Sequence, residues 1–245
     1  MYLKNILLIG LIAAAAGCSS NSSVKKPPET YFSEGQKLHA KGKNEAAIEK
    51  WKKVKESYSS PILSTAAEIM IADAQFDDKS YIEAAASYED FRRLHPNNEK
   101  APYALYKLGL SHYNQISKID TDQAPLKKSI AAFELFVKEY PKSEYNGKVR
   151  EKLESCRVKQ CEYEIYVGRF YYRTEKYTSA ISRLQDALEK FPASPVNDEA
   201  LFYLGQAYIE TGNKAKGKEA LQRLIKDYKT SKHATEARKL LDKSA

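Results

Sequence analysis

The longest apolar run in this chain, Ile6 to Gly17, has 12 residues. A helix needs about 20 to cross a bilayer, so no spanning segment is expected. Histidine is scarce, and the four present, His39, His95, His112 and His233, lie at no metal-ligand spacing. Also missing are a glycine-rich phosphate loop, a nucleophile elbow and any Ser/His/Asp grouping. These absences argue against an enzyme, a metal centre or a bound cofactor. No block of one charge sign dominates. The formal net charge of +8 comes from 40 Lys and Arg against 32 Asp and Glu, but the signs are mixed, as in KEALQRLIKDYKTSKHATEARK. Such a balance reads as a solvated face meeting acidic lipid or an acidic partner, and not as a nucleic-acid footprint. Period-two runs of β-branched residues are lacking too, so no sheet is expected.

The short apolar run has a purpose of its own. Lys4 before it and small residues at its end give the layout of a secretory signal peptide, residues 1–17. The ending Ala15-Ala16-Gly17-Cys18 resembles a bacterial lipobox, in which the cysteine is acylated and becomes the new N-terminus. The alternative is a plain exported protein in which Cys18 is incidental. Ser19 in place of Asp favours the outer membrane under the sorting rules of Gram-negative lipoproteins. More than one acyl chain is needed for stable anchoring. Residues 18–29 hold Ser, Asn, Lys and Pro with little to bury, the composition of a tether. The rest of the chain is long enough for one elongated or two compact domains.

Internal repeats dominate this larger part. LFYLGQAYIETGNKAKGKEALQRLIKDY aligns with EIYVGRFYYRTEKYTSAISRLQDALEKFP, placing Gly205 on Gly168, Tyr208 on Tyr171 and Leu221 on Leu184. The anchors Gly35, Ala72, Gly109, Gly168 and Gly205 are spaced 37, 37, 59 and 37. A small residue at each anchor lets two antiparallel helices approach, and larger side chains four and sixteen positions later fill the groove between them. Pro96, Pro141 and Pro192 stop helices they cannot continue. One such pair cannot bury its apolar faces alone, so the units stack. The expected fold is all-α: a superhelical stack of five tetratricopeptide-like helix pairs plus a C-terminal helix.

Two departures from the period matter. Unit three carries about eight extra residues around Ser117 to Pro125. Asp120 and Asp122 lie in it, but the EF-hand pattern is missing, so a surface loop is expected. Pro141 to Gly168 is 27 residues, against 13 from Pro96 to Gly109 and from Pro192 to Gly205. The surplus of 14 predicts one long helix joining repeats 1–3, residues 30–141, to repeats 4 and 5 and the last helix, residues 142–245. Cys156 and Cys161 fall on it, turned about 140° apart and about 7.5 Å along the axis. That is beyond disulfide reach, so both are expected to be buried apolar residues.

Together the lipobox, the tether, five repeats, the third-unit insertion and the long helix resemble the BamD family, lipoproteins of the outer-membrane β-barrel assembly machine. ESYSSP, FRRLHPNNEKAPYALYKLGLSHY and FVKEYPKSEY agree with it locally, and the likeness covers roughly residues 18–230. The resemblance implies a scaffold without chemistry, lipid-anchored in the outer membrane and facing the periplasm. It implies binding of unfolded outer-membrane clients and of the barrel-forming insertase, with accessory lipoproteins as further partners. An arginine in the second helix of unit four serves the insertase in that family, a role that falls on Arg183; the plainer reading is an exposed helix arginine paired with Asp186 or Glu189. Client binding falls on the N-terminal repeats. Tyr81, Tyr88, Tyr103, Tyr106 and Tyr113 are considered there, with Tyr103 and Tyr106 preferred because Tyr81 and Tyr88 hold repeat-core positions. Two other readings stand beside this one: another periplasmic repeat adaptor, of cell division or the Tol–Pal system, and an envelope enzyme.

Overall fold

The structure, a computed structural model, describes residues 26–57 and 60–243. Cys18, the signal peptide and most of the tether lie outside the described residues. Eleven helices account for the regular structure there: α1 Pro28–His39, α2 Asn44–Glu56, α3 Pro61–Asp77, α4 Tyr81–Leu94, α5 Ala101–Asn114, α6 Ala124–Glu139, α7 Asn146–Arg173, α8 Tyr177–Lys190, α9 Asn197–Glu210, α10 Lys214–Asp227 and α11 Lys232–Lys243. They form the five expected pairs and the final helix, and each helix packs on the next in the chain. No described helix is long and apolar enough to cross a membrane.

Sequence chemistry sets the ends. Proline opens α1, α3, α5 and α6 in the first turn, where its missing N–H has no partner to lose. Ser60 caps α3, its Oγ accepting from the Leu63 N–H. Helices α4, α6 and α8 stop two residues before Pro96, Pro141 and Pro192.

The anchor glycines do what their spacing implies. A Cβ built on Gly109 would fall 2.3 Å from the Phe133 ring, and one on Gly168 2.6 Å from Leu184. Each pair is locked by a large side chain of the second helix lying over the small anchor of the first. Trp51, Tyr88, Phe133, Leu184 and Leu221 hold that place in the five units, and all are fully buried. Removing one such side chain would cost about 3–5 kcal/mol.

Between α5 and α6 the insertion runs from 115 to 123, so Pro125, expected in the loop, lies in the first turn of α6. Asp122 is used within the chain there, accepting from the Ala124 N–H at 2.8 Å. Among the described residues no group of His, Cys, Asp and Glu is placed to hold a metal ion. The long helix is present as α7, 28 residues. Its first half contributes Val149, Leu153 and Cys156 to the core of units two and three; its second half contributes Cys161 and Ile165 to the core of units four and five. Both cysteines are free and buried, and burial pushes both thiols up.

Candidate functional site

Two places carry the candidate residues. The first lies on the first helices of units two to four. Tyr103 and Tyr106 stand on α5, three residues apart on one face. The Tyr103 hydroxyl donates to Asp73 Oδ1 of α3 at 2.7 Å, and Tyr88 of α4 donates to the same oxygen at 2.5 Å. Burial, then the Asp73 carboxylate, push both phenols up, so they remain neutral donors at any physiological pH. Tyr106 stacks on Tyr145, centroids 5.2 Å apart at 19°, and Tyr103 meets the same ring at 6.0 Å. Lys107 lies over Phe76, 3.4 Å from its centroid; burial lowers its pKa, opposed by Asp73 and Asp77.

The result is a preformed aromatic strip with a carboxylate and an ammonium set into it. Tyr103 and Tyr106 are half-buried, whereas Tyr88 is wholly core. Tyr81 packs edge-on against Phe76 at 5.3 Å. Tyr113 is occupied with α7, bonded to Ser155 Oγ at 2.9 Å under the Lys152 ammonium. Sequence reasoning missed Asp73, Lys107 and Tyr145. Asp73 directly follows the anchor Ala72, a place held by Gln36, Leu110, Arg169 and Gln206 in the other units, so the repeat spacing carried no signal for it.

The second place is Arg183 on α8. Its partner is neither Asp186 nor Glu189. The guanidinium reaches across to α7, where Nε lies 2.7 Å from Glu164 Oε2, the two side chains 36% and 15% exposed. The atoms meet outside hydrogen-bonding angles, so this is a charge contact without a directed bond. An i, i+3 partner would have needed Arg183 to lie along its own helix; the close packing of α7 and α8 offers a more buried carboxylate. On another side of α7, Arg169 forms an ion pair with Glu199 of α9 and lies 5.7 Å from the Tyr166 ring.

A family described as YfiO, outer membrane lipoprotein, matches residues 24–224. The chain belongs to that family. The match takes in Tyr103, Tyr106 and Arg183 and leaves out Cys18 and α11. Relatives named outer membrane protein assembly factor BamD fit the YfiO assignment. The one from Vibrio cholerae is 28% identical over 224 residues, 86% of this chain and 93% of its own. Another from Rickettsia prowazekii is 28% identical over 242 residues, 98% and 96%, and one from Caulobacter vibrioides is 26% identical over 213 residues, 84% and 70%. Among solved structures, the TPR2AB domain of yeast Sti1 in its pHSP90 complex is 15% identical over 81% of this chain and 76% of that one, with a TM-score of 0.44.

Proposed function

We propose that this chain is a non-enzymatic outer-membrane lipoprotein that assists assembly of β-barrel outer-membrane proteins. In this reading Cys18 carries the lipid, the repeats face the periplasm, and two surfaces do the work. The aromatic strip around Tyr103 and Tyr106 receives an extended client segment, and the α7–α8 surface at Arg183 receives the barrel-forming insertase. The observation that carries the reading is the YfiO match over residues 24–224, whose relatives bear the assembly-factor name.

The geometry supports both surfaces. Tyr103, held by the Asp73 carboxylate, and Tyr106, stacked on Tyr145, lose little freedom on binding, and an apolar strip with polar edges suits an aromatic-tipped peptide. At Arg183 a planar guanidinium, one-third exposed and held by one charge contact among the described residues, retains N–H groups for a carboxylate from outside.

Affinity capture of the tagged full chain from detergent-solubilised envelopes tests this, with partners identified by mass spectrometry. Wild type is expected to bring down a large outer-membrane barrel with periplasmic domains, and Cys18→Ala to leave the membrane fraction. Arg183→Glu should lose the barrel. The charge-swapped double variant Glu164→Arg, Arg183→Glu restores the internal pair but still presents the wrong charge outward, so it should not regain the barrel. Recovery by the swap would make Arg183 a purely internal residue. Division or peptidoglycan-binding partners in place of a barrel protein would overturn the assignment.

A further inference from the structure

In a stack of this kind each first helix is covered twice, by its own second helix and by the second helix of the unit before. The positions meeting the preceding unit recur five residues before, one before and two after the anchor. They are Ala67, Ile71 and Ala74 in α3, Ala104, Leu108 and Ser111 in α5, and Ala200, Leu204 and Ala207 in α9, all buried. Helices α2, α4 and α8 pack on these three helices. In α1, the first helix of the stack, the same positions hold Thr30, Glu34 and Lys37. That is the polar outer face a terminal unit needs.

Unit four breaks the rule. Its three positions are Tyr163, Val167 and Phe170, with Phe170 53% exposed and the other two half-buried. Helix α6, which should cover them, packs 14 residues earlier on Val149, Leu153 and Cys156. The contact between Ser129 and Cys156, 3.5 Å, fixes that register. Only residues 124–128 of α6 lie beyond Ser129, about 7.5 Å of helix, whereas Phe170 lies about 21 Å past Cys156. The second half of α7 therefore repeats the stripe of the first half with no described helix laid over Phe170.

The rim is informative. Lys159, four residues before Tyr163, and Arg173, three after Phe170, extend one edge. Neither makes an ion pair among the described residues. The other edge is the Glu164–Arg183 pair. In units three and five the equivalent positions hold Leu105 with Ala132 and Leu201 with Ala220, buried and apolar.

We propose that Tyr163, Val167 and Phe170 form a docking slot for an α-helix of the partner that meets Arg183, seated as the second helix of a preceding unit would be. The occupant is an amphipathic helix with acidic side chains beside its apolar stripe, matched to Lys159, Arg173 and Arg183. The inference rests on the insertase reading and adds the element that docks and the residues that receive it.

A photo-crosslinking amino acid placed at Val167 or at Phe170 of the full chain, in native envelopes, tests the slot. A control is placed at Ile82, 70% exposed on α4. The crosslinked peptides are mapped by mass spectrometry. Both slot positions should mark one acidic helix of the barrel protein that wild type captures, and Ile82 should not. Val167→Asp and Phe170→Asp should each cut capture about tenfold, the loss of a central anchor, with a melting temperature within about 4 °C of wild type. Full capture by both variants, or crosslinks on a strand or loop, would overturn the slot while leaving the assembly role intact. Wild type capturing no barrel protein would overturn both readings together.

Discussion

Val149, Leu153 and Cys156 in the first half of α7 are buried against units two and three, while Tyr163, Val167 and Phe170 stand fourteen residues on with Phe170 open to solvent. Both stripes follow the same helical spacing on one continuous helix. Fourteen residues are just short of four turns, so they point to nearly the same side. What separates them is the cover: α6 reaches the first and ends before the second. The difference teaches that insertion of a few turns into a repeat array does more than lengthen it. It strips the neighbour from one unit while leaving that unit's apolar face in place. An exposed face of that kind marks an interaction surface.

The largest effect expected from this comparison comes from placing one charge in each stripe. Leu153→Asp buries an unpaired carboxylate in the middle core and should cost about 4 kcal/mol. Val167→Asp should cost less than about 1 kcal/mol, because the slot is open. Urea denaturation followed by circular dichroism measures both, and equal losses would mean that the second stripe is core like the first.

Next in size is the Glu164–Arg183 edge. Arg183→Ala leaves a largely buried carboxylate without its charge partner and should destabilise by about 1 kcal/mol. The double variant Glu164→Leu, Arg183→Ala recreates the pattern of units three and five. It should match or exceed wild type in stability by about 1 kcal/mol and still fail to capture the barrel partner. That outcome would separate an edge kept for binding from one kept for folding.

A comparable gain is expected at the turn between α7 and α8. Glu175 sits at φ 59°, in the left-handed region, at the same offset from its anchor as Gly212 at φ 82°. Glu175→Gly should stabilise by about 1 kcal/mol, read from the shift in denaturation midpoint.

The smallest effect concerns unit one. Glu34, the counterpart of Val167, is bonded by Lys26 and Lys50, and these two hold its carboxyl down at about 2. Its folded value lies below its unfolded one. The contribution is therefore complete above about pH 4.5 and is lost as pH falls toward 2. Because the group is only partly covered and water screens its pairs, the change should be slight. Glu34→Gln should flatten the stability profile in that window and lower stability slightly at neutral pH, the two proteins converging as pH falls toward 2.

The stack was legible because its locking contacts recur at fixed separations. Gly168 must be small under Leu184 as Gly205 must be under Leu221, and that requirement writes the period into the sequence. The long helix was legible as a surplus in the same count. Contacts between units were not. Arg183 finds Glu164 on a neighbouring helix, and Asp73 gathers hydroxyls from two other helices. Such pairings depend on how helices pack and leave no mark on spacing within one helix. The left-handed turns at Lys79 and Glu175 were hidden for another reason, since neither residue is the glycine that signals such a turn.

The slot on α7 is tested most directly by side-chain footprinting of the full chain, free and in its captured complex, read residue by residue along the helix. Tyr163, Val167 and Phe170 should be labelled in the free protein and protected in the complex, while Leu153 is unlabelled in both and Ile82 is labelled in both. Phe170 labelled equally with and without the partner would contradict a slot that a partner fills.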